Sequence, residues 1–111
     1  MTDIASPDDF RDAVRASDER PVLIFKHSAS CMISARANRQ IAKLDQPGDP
    51  EVFRVVVQEA RPLSNAIAAE TGIRHETPQG ILFRHGQPVW DTSHFSLTAR
   101  AVRDALASLS D

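Results

Sequence analysis

The sequence predicts an α/β fold, a mixed four-stranded sheet flanked by helices with elements in the order α-β-α-β-α-β-β-α. Three observations point there. Two β-branched apolar runs, VLIF at 22–25 and VFRVVV at 52–57, have the composition of strands covered on both faces. One amphipathic stripe lies between them, and a crossover helix joining two buried strands implies a right-handed βαβ unit with the strands parallel. Two further short runs, ILF at 81–83 and VW at 89–90, flank a turn around His85 and Gly86 and read as an antiparallel hairpin.

The elements follow in order. Ser6, Pro7 and Asp9 supply a cap, a first-turn proline and a first-turn acid, with Phe10, Ala13 and Val14 as an apolar face, so a helix of about ten residues opens the chain. Pro21 ends the polar SDER segment ahead of the first strand. Ile33, Ala37, Ile41 and Leu44 recur at helical spacing, which predicts a helix beginning at Cys31 with one stripe toward a core. DQPGDPE, with two prolines and Gly48, is a loop. Pro62 opens a helix over about 62–71, with Leu63, Ala66 and Ile67 on one face and Gly72 as a left-handed C-terminal cap. Pro88 places the second hairpin strand at a sheet edge, where a missing N–H is tolerated, with Trp90 as a packing residue on it. Ala99, Val102, Leu106 and Leu109 behind a cap at Ser96 predict a C-terminal helix.

Composition narrows the function classes. At 111 residues, without repeats or an internal linker, the expectation is a single domain over 1–111, large enough to close a core unaided. A formal net charge of -2 offers no field for phosphate backbones, so no nucleic-acid partner is expected. No apolar run approaches the ~18 residues of a membrane span, and MTDIASPDDF lacks a signal-peptide core; the expected location is cytoplasmic, with no membrane partner. One cysteine excludes an internal disulfide, and His27, His75, His85 and His94 lack the spacing of a zinc site, so no metal is expected.

The cysteine, Cys31, stands where the first strand ends and a helix begins, in HSASCMIS. A thiol there meets backbone N–H groups without intrahelical acceptors and the positive end of the helix dipole, both of which favour thiolate. Ser34, one turn on, lies within reach to donate its hydroxyl to that thiolate. Lys26 and His27 are close upstream, and strand alternation sends at most one of them toward the sulfur. The expectation is a thiol pKa below about 8.5 and a nucleophilic Cys31. The plainer alternative is a small core hydrophobe, but Cys31 is off the apolar stripe and flanked by Ser28, Ser30 and Ser34. With serine at 34 and no second cysteine, a mixed disulfide formed at Cys31 has to be released by an external thiol. Catalytic roles are therefore expected of Cys31 and of Ser34, although a serine in a first turn equally often just caps or meets solvent.

The C-x-x-S at 31–34, the element order and Pro78 just before the third strand together describe a thioredoxin-like arrangement, which places a cis-proline opposite the active thiol. More specifically, FKHSASCMIS at 25–34, RPLSNAIAAETGIRHETPQ at 61–79 and HGQPVWDTSHFSLT at 85–98 resemble the monothiol bacilliredoxins, over nearly the whole chain from Pro21. The resemblance implies a monothiol oxidoreductase that removes bacillithiol from S-thiolated client proteins, with the small thiol as co-substrate and no tightly bound cofactor. It also implies Pro78 as the cis-proline, the Thr77 backbone as partner of the bound thiol or client, and His27, His75 and His94 as lining residues. Each histidine is equally compatible with local hydrogen bonding or solvation. The N-terminus of the helix carrying Arg61, Ser64 and Asn65 is a place for a carboxylate of the small thiol, or these three are capping and surface residues. One departure stands out: Met32 follows the cysteine where the family usually has proline, leaving an N–H and adding a flexible apolar contact beside the sulfur. Two other readings stay open, a redox-inactive peptide-binding module using the groove between Cys31 and Pro78, and a thiol sensor that is modified without turnover.

Overall fold

The protein is described over residues 1–109 by a computed structural model. A two-residue strand, β1 (Thr2–Asp3), precedes helix α1 (Pro7–Ala16), which starts as its cap predicts: Ser6 Oγ accepts the Asp9 N–H at 3.1 Å. Strand β2 (Val22–His27), helix α2 (Met32–Ile41) and strand β3 (Glu51–Val56) form the parallel crossover unit, with Ile24 opposite Phe53. Helix α3 (Arg61–Thr71) ends at Gly72, whose φ of 71° is the left-handed conformation that favours glycine. Strands β4 (Gln79–Arg84) and β5 (Gln87–Ser93) make the hairpin, whose two-residue turn has positive φ at both His85 and Gly86. A single 3-10 turn (His94–Ser96) leads to helix α4 (Ala99–Ala107).

The sheet order is β1-β3-β2-β4-β5, with β4 antiparallel to β2 and to β5. It has five strands rather than the expected four, because β1 pairs parallel with β3 at the sheet edge. Two residues carry no periodicity to read. What holds them is Arg54, whose Nε and Nη2 donate to the Asp3 carboxylate at 2.7 and 3.0 Å while its carbonyl accepts the Ile4 N–H at 2.9 Å.

Alternation along β2 explains its continuous apolar run. Val22 and Ile24 face a core shared with Phe10, Leu63 and Ile67 of α1 and α3, whereas Leu23 and Phe25 face a second core with Ala37, Ile41 and Val102 of α2 and α4. Both sides are covered, so every position must be apolar. Trp90 packs half-buried against the second core, from the edge strand.

The C-terminal helix is capped by Thr98, not by Ser96. Thr98 Oγ1 accepts the Ala101 N–H at 3.1 Å, and Ser96 sits in the 3-10 turn before it. Between the two hydroxyls lies Leu97, fully buried, and the turn that inserts it delays the helix start. Gly80 makes that insertion feasible: a Cβ there would stand 2.7 Å from Leu97 Cδ1. The stripe on α2 is buried at Ala37, Ile41 and Leu44 as expected, but in the first turn the buried residue is Ser34, and Ile33 is only partly covered.

Candidate active site

The β2 strand delivers the chain to a short turn, Ser28 to Ser30, and Cys31 then stands at the N-cap of α2 in extended backbone conformation. Gln58, just past β3, holds this turn from the neighbouring strand. Its Oε1 accepts the Ala29 N–H at 3.1 Å, and its Nε2 donates to Ser28 Oγ at 2.8 Å and Ser30 Oγ at 3.2 Å. Nothing in the sequence marked Gln58, because a glutamine in a loop has no pattern of its own.

At the N-cap, the Cys31 side chain is partly exposed and faces donors that have no helical acceptor. The Ser34 N–H is the strongest influence, with the Ile33 N–H and the Ser34 hydroxyl adding to it; partial burial opposes them, and the thiol is held below its ordinary pKa. No acidic residue occupies the first turn of α2 to counter this. Ser34 itself is fully buried, and its Oγ accepts the Ser28 N–H at 3.3 Å. The hydroxyl therefore ties the cysteine turn to the helix as well as facing the sulfur.

Met32 is 88% exposed beside Cys31. One helical turn later Arg36 lies over the ring of Phe95, 5.6 Å from its centroid, and Phe95 is itself exposed. These side chains form an open rim on the α2 side.

Opposite the cysteine turn, the Thr77–Pro78 peptide is cis and leads straight into β4. Lys26, near the end of β2, is registered with Gln79 at the start of β4, so the Cys31 turn and the Thr77–Pro78 loop lie at the same end of the sheet. Pro78 is buried and its carbonyl accepts the His94 N–H at 2.9 Å. Gln79, also buried, folds back on the approach to the proline, donating to the Arg74 carbonyl at 2.9 Å and accepting the Glu76 N–H at 3.4 Å.

The three histidines separate. His75 and His94 lie at the proline loop: His75 Nδ1 is 3.2 Å from both Lys26 Nζ and Ser64 Oγ, and His94 Nε2 is 3.7 Å from Glu76 Oε2. His27 continues the other face of β2, stacking beside Phe25 at 5.6 Å between ring centroids. Burial holds its pKa below the ordinary value, assisted by Arg54 and opposed by the Ser34 backbone and Asp3, and among the described residues its buried Nδ1 has no hydrogen-bond partner. It thus underlies α2 rather than joining the proline loop.

Lys26 takes the face opposite to His27 and is fully buried. Burial pushes its ammonium down to about 8. Its phase was legible in the sequence, since Val22, Ile24 and Lys26 share one face of a strand, but the chemistry it would meet was not. At α3, Arg61 and Asn65 are exposed and Ser64 is buried toward His75, and the N-cap, Ala60, supplies no side-chain bond. Among the described residues no group of three His, Cys, Asp or Glu side chains is arranged to hold a metal ion, and no helix is long and apolar enough to cross a membrane.

Known proteins share both the sequence pattern and the fold that carry this N-cap thiol. The profile of the family described as monothiol bacilliredoxin BrxC matches residues 2–102. The chain belongs to that bacilliredoxin family. A solved structure described as a candidate oxidoreductase with a thioredoxin fold is 32% identical, with a TM-score of 0.84, covering 94% of this chain and 91% of its own. A mutant thioredoxin from Halobacterium salinarum NRC-1 is 20% identical, with a TM-score of 0.77 and coverage of 99% and 90%. Fasciola hepatica thioredoxin is 15% identical, with a TM-score of 0.76 and coverage of 96% and 97%. The last two share the fold. As a bacilliredoxin-family protein of thioredoxin fold, the chain is a thiol-disulfide oxidoreductase.

Proposed function

We propose that this protein removes a low-molecular-weight thiol, bacillithiol by family, from mixed disulfides on client proteins, through Cys31 alone. The observation that carries the reading is a stabilised thiolate at an N-cap with Ser34, not a second thiol, one turn away. In the first exchange the Cys31 thiolate attacks the small-thiol sulfur of the client disulfide. A Cys31–small-thiol disulfide forms, the client S–S bond breaks, and its electron pair leaves with the client cysteine as thiolate. A second small thiolate, or the thiol of another redoxin, then attacks the capped Cys31, regenerating the Cys31 thiolate and carrying away the small thiol as a disulfide. Both steps conserve electrons overall, with the external thiol as reductant.

Two features support the capacity for this exchange. The donors at Cys31 stabilise it both as nucleophile and as leaving group, since a low-pKa thiol departs faster in the second step. The open rim with Met32 and Phe95 leaves the sulfur approachable by a protein-sized substrate. Thr77, Pro78 and the two loop histidines are the groups proposed to line the opposing wall, with Thr77 pairing through its backbone. The test is a client capped in turn with bacillithiol, glutathione and cysteine, incubated with the protein and the matching free thiol. Client thiol released with wild type and not with Cys31→Ala supports the reading, and the fastest cap identifies the co-substrate. Capping of Cys31 without turnover would make the protein a sensor, and no reaction would make the groove a binding site only.

A further inference from the structure

Lys26 is a fully buried cation to which the exchange chemistry above gives no task, and among the described residues no carboxylate neutralises it. Its Nζ donates to the Ser64 carbonyl at 3.3 Å and contacts His75 Nδ1 at 3.2 Å. An ammonium has hydrogens and no lone pair, so Nδ1 of His75 must be the acceptor. The Ser64 hydroxyl, also 3.2 Å from Nδ1, can donate to the same lone pair. With Nδ1 unprotonated, the ring's hydrogen resides on Nε2, and the exposed side of His75 presents a donor.

The surroundings keep the ring neutral. Burial lowers the His75 pKa first, then the Lys26 ammonium, with Arg61 adding to them and Glu76 opposing. Two of the three charges that act on His75 are positive, so an anionic acceptor is the complementary ligand for its outward N–H. His75 precedes the cis Thr77–Pro78 peptide, at the sheet end that carries Cys31. Its donor direction is set from inside the core, by Lys26 and Ser64, and not by solvent.

We propose that Lys26 is a positioning residue that fixes His75 as its Nε2–H tautomer, making His75 the group that selects a carboxylate-bearing small thiol at the wall opposite Cys31. This rests on the exchange reading above for its second half and on geometry alone for its first. The two halves are therefore tested separately. Nitrogen-15 NMR of the imidazoles at pH 7 reports the tautomer directly: His75 of the wild type should show a pyridine-like Nδ1 and a pyrrole-like Nε2, and Lys26→Met should shift His75 toward a mixture. An unchanged tautomer in Lys26→Met overturns the positioning role, whatever the activity.

The selectivity half uses a client peptide capped with N-acetylcysteine or with N-acetylcysteine amide, which differ only in the carboxylate. Wild type should prefer the acid in kcat/KM by about 5-fold, the size of one solvent-facing hydrogen bond, mainly through KM. Lys26→Met and His75→Ala should each bring the ratio to about one, and His75→Gln, which retains an N–H donor, should restore part of it. A wild-type ratio of one, or a preference that survives His75→Ala, overturns the selectivity role. Absence of transfer from either cap overturns the parent reading and the selectivity with it, while the tautomer measurement still decides the positioning role.

Discussion

Replacing Lys26 by methionine should make the protein more stable at neutral pH. The side chain is fully buried, and its pKa of about 8 lies below the ordinary 10.5 because burial disfavours the charged form. That difference corresponds to about 3 kcal/mol for holding the ammonium inside rather than in water. Methionine fills a similar volume without the charge, and the Ser64 hydroxyl, which can donate or accept, pairs with His75 Nδ1 in either tautomer. That cost is already net of what the ammonium's own bonds return, so methionine forfeits only the neutral amine's two hydrogen bonds, at about 1 kcal/mol each, which leaves Lys26→Met about 1–2 kcal/mol more stable at pH 7. The sign reverses with pH. Between about 8 and 10.5 the unfolded chain binds the proton that the folded chain has released, so wild-type stability rises through that window. By pH 10.5 the advantage of the variant should be gone or inverted. Urea unfolding of both proteins at several pH values measures this as a difference, in which Cys31 and the other titrating groups cancel. A variant less stable at pH 7, or a difference independent of pH, would refute the reading of Lys26 as a costly buried cation.

Other expectations follow from the same geometry. Alkylation of Cys31 should rise with pH and level off below the ordinary thiol range; Ser34→Ala should move that midpoint upward and, by orphaning the buried Ser28 N–H, cost about 1–2 kcal/mol of stability. Ser34→Cys should place a second thiol one turn from Cys31 and let the capped Cys31 resolve internally, seen as release of the free small thiol and formation of an intramolecular disulfide without added thiol. Thr98→Ala should destabilise by about 1 kcal/mol and Ser96→Ala by less than about 0.5 kcal/mol, since only Thr98 caps α4.

How far the sequence carries depends on whether a feature repeats or stands alone. The βαβ unit, the hairpin and α1 were legible because periodicity and caps act within a few residues, and Cys31 was legible because its junction position is itself a chemical statement. Strand β1 was not, since two residues have no period and Arg54, which holds them, is 51 residues from Asp3. The cap of α4 was misplaced by two positions because both Ser96 and Thr98 carry a hydroxyl, and the choice is made by where Leu97 enters the core. Gln58 and the Lys26–Ser64–His75 cluster are long-range polar arrangements, formed only when two segments in the first case and three in the second close on one another. Ser34 shows the intermediate case: its spacing from Cys31 was plain, but its burial in phase with Ala37 and Ile41 required the helix to be seen against the sheet.

Which sulfur Cys31 attacks decides the mechanism, and single-turnover mass spectrometry reads that directly. Reduced protein mixed with an equimolar capped client, without free thiol, should gain the mass of the small thiol at Cys31 while the client loses it. A covalent protein–client adduct in place of that transfer, or an unmodified Cys31 beside a still-capped client, would contradict it.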